Sequence, residues 1–175
     1  MKKIEVFELT EEAFSPFGSI LQTEGRAFCG ETGVYQWYEK QAQVDGAETV
    51  SINLLVTHMR PYVGGRFEAH ARTTETILPL TGGVIVAGMP AGEPDAGKLR
   101  AFYIPVGKGV SWAKGAWHYA PYPIDGDATC AVVFRHGTGA DDAVFANLLE
   151  PVVFQYEAGE PGGTKSRAGT RKTKA

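Results

Sequence analysis

The chain has little of what would commit it to a special environment. It holds two cysteines in 175 residues, Cys29 and Cys130, far apart and in no CxxC pattern. That argues against a disulfide-stapled scaffold and against a zinc ribbon or finger. No apolar run approaches the ~20 residues that a transmembrane helix needs. The opening Met-Lys-Lys-Ile-Glu-Val lacks the apolar stretch of a secretory signal. These absences predict a cytoplasmic protein with no membrane partner. Charge of one sign is scarce too. The net value of −3 offers no electrostatic footprint for nucleic acid or an anionic surface. The one local excess is in residues 157–175, with five basic and two acidic side chains. That segment is glycine-rich and poor in apolar residues, so a disordered basic tail is expected behind a single domain of residues 1–156.

Glycine (22), proline (10) and aromatic residues (Phe 9, Tyr 7, Trp 3) are plentiful. This mixture favours many short strands and turns over long helices. Residues 4–9 alternate apolar and polar, a strand signal. Thr10 is placed to cap a short helix that Pro16 and Gly18 end. Further strands are predicted at 34–38, 50–57, 66–70, 74–80, 84–88, 99–104, 109–112, 116–119, 129–135 and 152–156. Thr81-Gly82-Gly83 reads as a hairpin turn between two of them. Residues 141–149 read as a second helix. Cys130 lies in the apolar run 128–134 and is expected to pack as a small hydrophobe. The pattern predicts an all-β barrel or sandwich with one or two short helices.

Four histidines occur, and spacing separates them. His58 ends an apolar strand and His136 precedes a glycine turn, so both are read as structural. Arg66, Glu68 and His70 alternate along one strand and so share a face. Glu75 follows on the next strand, and a later strand delivers His118. Two imidazoles and two carboxylates facing one cavity suit a divalent ion such as Ni, Mn, Fe or Zn. The same residues can also form a metal-free polar pocket. Arg66, Arg72, Arg100 and Arg135 are candidates to bind a substrate carboxylate in bidentate fashion, Arg66 favoured because it shares the face of Glu68 and His70. Trp117, like Trp112, either lines the cavity or fills the core.

These spacings resemble the two motifs of the cupin family. Glu68-x-His70, four residues, Glu75, six residues and Gly82 is similar to the first motif, with Glu68 in place of its first His. Gly107, five residues, Ala113-x-Gly115, two residues and His118 is similar to the second, with Ala113 for Pro and Tyr122 for Asn. The resemblance implies a cupin-type, jelly-roll-like antiparallel β-barrel, with Glu68, His70, Glu75 and His118 as metal ligands and catalytic residues.

A narrower resemblance covers residues 9–135. The opening Leu-Thr-Glu-Glu-Ala-Phe-Ser-Pro-Phe-Gly at 9–18 is similar to the ureidoglycolate lyase family. So are Ser51-Ile52-Asn53, Glu68-Ala69-His70, Leu99-Arg100-Ala101-Phe102, Gly115-Ala116-Trp117-His118 and Arg135. The chain departs from that family's pattern at Glu75 (where the family has Gln), at Ser111-Trp112-Ala113, at Tyr119 and at Phe134. The resemblance implies cleavage of ureidoglycolate to glyoxylate and urea, as in allantoin degradation, by a homodimer. Glu68 or Glu75 would act as base and His118 would protonate the departing nitrogen. Two other readings stay open. One is another metal-dependent cupin enzyme, an oxygenase or isomerase, acting on a small carboxylic acid. The other is a non-catalytic small-molecule-binding cupin.

Overall fold

The computed structural model describes residues 1–157 except Thr32 and Tyr35. The expected tail lies outside them, Glu157 apart. No helix among the described residues is long and apolar enough to cross a membrane.

Among the described residues the regular structure is nearly all strand, with two helices of one turn each. In order it runs β1 (Lys2–Glu8), α1 (Glu11–Phe14), β2 (Gly18–Leu21), β3 (Gly30–Glu31) and β4 (Gln36–Trp37). Then come β5 (Val50–Thr57), β6 (Val63–Ala69), β7 (Glu75–Pro79), β8 (Val84–Met89) and β9 (Arg100–Ile104). It ends with β10 (Gly109–Trp112), β11 (Trp117–His118), β12 (Tyr122–Pro123), β13 (Ala128–Arg135), α2 (Thr138–Asp141) and β14 (Val144–Gln155). Thr10 caps α1 as its sequence position predicts, its hydroxyl accepting from the Ala13 N–H.

A seven-stranded sheet has the order β11-β6-β14-β1-β9-β8-β12, and β11 also pairs with β8. Six of its strands therefore close in a ring. Against it lies a five-stranded sheet, β2-β10-β7-β13-β5. Strand alternation divides the apolar residues between two cores. Ile85 and Ala87 of β8 join Phe67, Ala101 and Phe154 inside the ring. Val84 and Val86, on the other face of β8, join Ile77, Phe102, Trp112 and Val132 between the two sheets. Cys130 is fully buried in that second core, and burial pushes its thiol up to about 11.

Three expectations are corrected. Thr81-Gly82-Gly83 is not a hairpin turn, because β7 lies in the five-stranded sheet and β8 in the seven-stranded one. Both strands are buried on both faces, so each finds partners on both edges within its own sheet. The helix expected at 141–149 is strand β14 from Val144 onward, preceded by the single turn α2. Its residues pair antiparallel with β6, Val144 opposite Ala69 and Phe145 opposite Glu68. Ladder bonds along a sheet outweigh the weak helical preference of that stretch. Finally, β1 runs parallel to both neighbours, β14 and β9, while the other strand pairs are antiparallel. Most of the chain separates β1 from either partner, so no tight turn dictates its direction.

Candidate active site

Strands β6, β7 and β11 bring the four expected residues together between the sheets. The β6–β11 ladder sets His118 opposite Glu68. Glu75 opens β7 in the facing sheet, opposite Trp112 of β10. His70, Glu75 and His118 are buried, and Glu68 is half-buried.

The Glu75 carboxylate reaches both imidazoles. Its Oε2 lies 3.1 Å from His70 Nε2 and its Oε1 lies 3.4 Å from His118 Nε2. The far nitrogens are fixed by backbone. His70 Nδ1 donates to the Asp142 carbonyl at 2.9 Å, and His118 Nδ1 donates to the Ala116 carbonyl at 3.0 Å. A carbonyl only accepts, so both Nδ1 atoms carry hydrogen and both Nε2 atoms face the cluster. This is how metal-binding histidines are usually held from behind.

Burial by itself opposes protonation of His70. The hydrogen bonds to Glu75 and to the Asp142 carbonyl, with the charges of Glu75 and Glu68, outweigh it and raise the group to about 9. Burial likewise opposes ionisation of Glu75. The His118 and His70 rings beside it reverse that and hold the carboxyl down at about 2.

The donor set fits a cation. One ligand atom each from Glu68, His70 and His118 lie within 4.8 Å of one another. His118 Nε2 is buried and has no hydrogen-bond partner among the described residues. Bound to a cation, that nitrogen would offer it a lone pair. Glu75 lies outside this trio, its two oxygens turned to the two rings.

Packing around the rings is tight. Trp112 stacks on His118 with ring centroids 5.1 Å apart and planes 10° from parallel. Gly88 makes that possible, since a Cβ there would meet the Trp117 carbonyl oxygen at 2.3 Å and the Trp112 ring at 2.7 Å. Phe134 lies 6.3 Å from the His70 ring. Gly115, at a φ of 74° that suits glycine, turns the chain between β10 and β11. Its N–H donates to the His70 carbonyl at 2.7 Å.

The other expected residues are dispersed. Arg66 shares the face of Glu68 and lies over the Phe145 ring at 4.2 Å. Arg135 is engaged by Asp141 and by the His136 carbonyl. Arg100 donates to the Gly97 and Leu99 carbonyls and lines a separate 340 Å³ pocket beside α1. Trp117 alternates with His118 on β11 and so projects from the opposite face. Its indole N–H donates to Gly92. Of the two remaining histidines, His58 pairs with Asp127 at 2.6 Å and His136 with Ser51 at 2.8 Å. Asp142 was missed by sequence reasoning, because it lies in the stretch that reads as helix.

A closed double-sheet barrel presenting two histidines and two glutamates from these strands defines a cupin. The sequence matches the family described as ureidoglycolate lyase over residues 1–154. It is similar to the ureidoglycolate lyase of Burkholderia mallei (strain NCTC 10229), 32% identical over 146 residues, covering 79% of this chain and 86% of that protein. It is also similar to the ureidoglycolate lyase of Pseudomonas savastanoi pv. phaseolicola (strain 1448A / Race 6), 30% identical over 165 residues, covering 86% and 97%. The chain belongs to the ureidoglycolate lyase family. Among solved structures, a mutant of the oxalate decarboxylase of Bacillus subtilis aligns with a TM-score of 0.41 at 17% identity. That match covers 57% of this chain and 24% of the decarboxylase chain.

Proposed function

We propose that the chain cleaves ureidoglycolate to glyoxylate and urea at the Glu68–His70–Glu75–His118 cluster. Family membership supports the reaction, and the Glu75 carboxylate set between two imidazole Nε2 atoms is the observation that carries the site. Glu68, His70 and His118 would hold a divalent cation, whose chemistry there is to polarise a bound hydroxyl and lower its pKa, with Glu75 bracing the two rings. The unpartnered His118 Nε2 supports this donor set.

The substrate is a carbinolamide, with hydroxyl, carboxylate and urea nitrogen on one carbon. Its cleavage is a net transfer of the hydroxyl proton to the urea nitrogen. The O–H electrons become the new C=O bond, and the C–N electrons leave on nitrogen. Both Glu75 oxygens face imidazoles, so Glu75 holds the rings rather than taking the proton. Glu68 is half-buried and shares a face with Arg66. We assign Glu68 as the base that accepts the hydroxyl proton and returns it to the leaving nitrogen. The Arg66 guanidinium is the candidate partner for the substrate carboxylate. Purified, metal-loaded protein should release glyoxylate from ureidoglycolate, and His118→Ala should lose both metal and turnover. Wild-type protein that holds metal but releases no glyoxylate would refute the reading.

We further infer that the chain works as a homodimer in the cytoplasm. The unpaired Cys29 and Cys130 support a reducing compartment. Strand β5 supports the dimer. It is an edge strand whose outer face exposes Val50, Ile52, Leu54 and Val56, with Ile52 78% and Leu54 72% exposed. A long apolar edge of this kind is normally covered. Antiparallel pairing of β5 with its copy about a two-fold axis would satisfy that edge and set the two apolar rows side by side.

A further inference from the structure

We infer that Asp142 is a positioning residue that sets the orientation of His70. The inference deepens the proposed function, since it rests on His70 belonging to the reactive cluster.

The β6–β14 ladder ends at the pair Ala69–Val144. His70 is therefore the first residue past the last rung, where the ladder no longer restrains it. Asp142 takes over at that point. Its carboxylate Oδ1 accepts from the Ala71 N–H at 3.0 Å and from the Arg72 N–H at 3.1 Å, and its Oδ2 accepts from the Arg72 N–H at 2.9 Å. Its main-chain carbonyl accepts from His70 Nδ1 at 2.9 Å. One residue thus grips three consecutive ones: the ring of the first and the backbone of the next two.

The two grips depend on each other. The carboxylate locks the 71–72 backbone to residue 142, which brings the carbonyl within reach of the imidazole. That carbonyl leaves Nε2 as the nitrogen that faces Glu75. Asp142 is 7% exposed, so water competes poorly for either grip. A carboxylate serving only to tie off the turn would have no need for its own carbonyl to meet a ring of the cluster. Neighbouring Asp141 shows the contrast. It is half exposed, and its carboxylate faces Arg72 and Arg135 instead.

The test compares wild type, Asp142→Ala and Asp142→Asn as 15N-labelled, metal-free protein. Two quantities are read: exchange of the His70 Nδ1–H with water, and affinity for Co(II) followed by its visible absorption. Wild type should show a protected Nδ1–H. Asp142→Ala should lose that protection and bind Co(II) roughly 10–100-fold more weakly, the usual effect of removing a support behind a metal ligand. In Asp142→Asn the amide oxygen can replace Oδ1, so protection should persist and affinity should fall no more than about 3-fold. An Asp142→Ala protein with a protected Nδ1–H and unchanged affinity would overturn the inference. So would an Asn variant as impaired as the Ala one. If Asp142→Ala does not fold, a wild-type Nδ1–H exchanging as fast as that of an exposed histidine is sufficient refutation. Protein that binds no Co(II) and releases no glyoxylate, yet loses Nδ1–H protection in Asp142→Ala, would sink the proposed function and leave the role of Asp142 standing.

Discussion

Glu75 Oε2 lies 3.1 Å from His70 Nε2, and both side chains are buried. His70 is held charged at that depth chiefly by Glu75, and Glu75 is held ionised by His118 as well as by His70. Because the other Glu75 oxygen faces His118, the carboxylate braces the cluster and has no oxygen free for substrate. Glu75→Gln should therefore lower kcat for glyoxylate release by no more than about 10-fold. Glu68→Gln, which removes the proposed base, should lower it by about 10²–10⁴-fold. Steady-state kinetics on the two metal-loaded variants check this. The reverse order would make Glu75 the base.

The same pair predicts how the metal-free protein responds to pH. His70 is raised from 6.5 to about 9, so its contribution to stability is whole below pH 6.5 and is lost as pH climbs through 9. Glu75 is lowered from 4.5 to about 2, so its contribution is whole above pH 4.5 and is lost as pH falls through 2. Denaturant unfolding should place the stability plateau of this pair between about pH 4.5 and 6.5. The alkaline decline should flatten in Glu75→Gln, which cannot hold His70 charged. An equally steep decline in that variant would show that another group causes it.

Much of the site can be read from the sequence, since strand alternation and motif spacing are local. Glu68 and His70 share a face because they lie two residues apart, one on β6 and one just past its end, and the Gly115–His118 spacing delivers a ring from a tight turn. Harder to read is anything that depends on which strands pair. Two apolar strands joined by a glycine pair look like a hairpin whether or not they hydrogen-bond, and β7 and β8 do not. The support behind His70 is invisible for the same reason. Asp142 lies 72 residues further along the chain. Its stretch reads as helix until β6 supplies a partner strand. Arg100 and Trp117 are candidates by residue type alone, which carries no face information. Alternation along β11 turns Trp117 away from His118.

Gly88 offers a test of packing against chemistry. A methyl group there would collide with the Trp117 carbonyl, which cannot yield cheaply, and with the Trp112 ring. Trp112 would then be driven from its stack on His118. Gly88→Ala should cost about 1–3 kcal/mol of stability, as overpacked cores do. It should also weaken metal binding, although the residue bears no ligand atom. Thermal unfolding together with metal titration checks both. Loss of stability with unchanged metal affinity would mean that the Trp112 stack does not help to place His118.

The outer face of β5 yields the last prediction. Val50, Ile52, Leu54 and Val56 all project to one side because they alternate with Ser51, Asn53 and Leu55 along the strand. Edge pairing sets these side chains against those of the copy and shields their flanks, which yields part of the roughly 1.5–3 kcal/mol that full burial of each would give. Leu54→Glu places a charge at the centre of this face. In a two-fold antiparallel pairing each such charge meets its own copy or a near neighbour, and like charges directly opposite are destabilising. The variant should run as a monomer by light scattering where wild type runs as a dimer, with its fold intact by circular dichroism. Leu54 itself is not part of the cluster, so a cluster complete within one chain should keep its turnover. If Leu54→Glu remains a dimer, the interface lies elsewhere. A wild-type monomer would mean that this edge is tolerated bare.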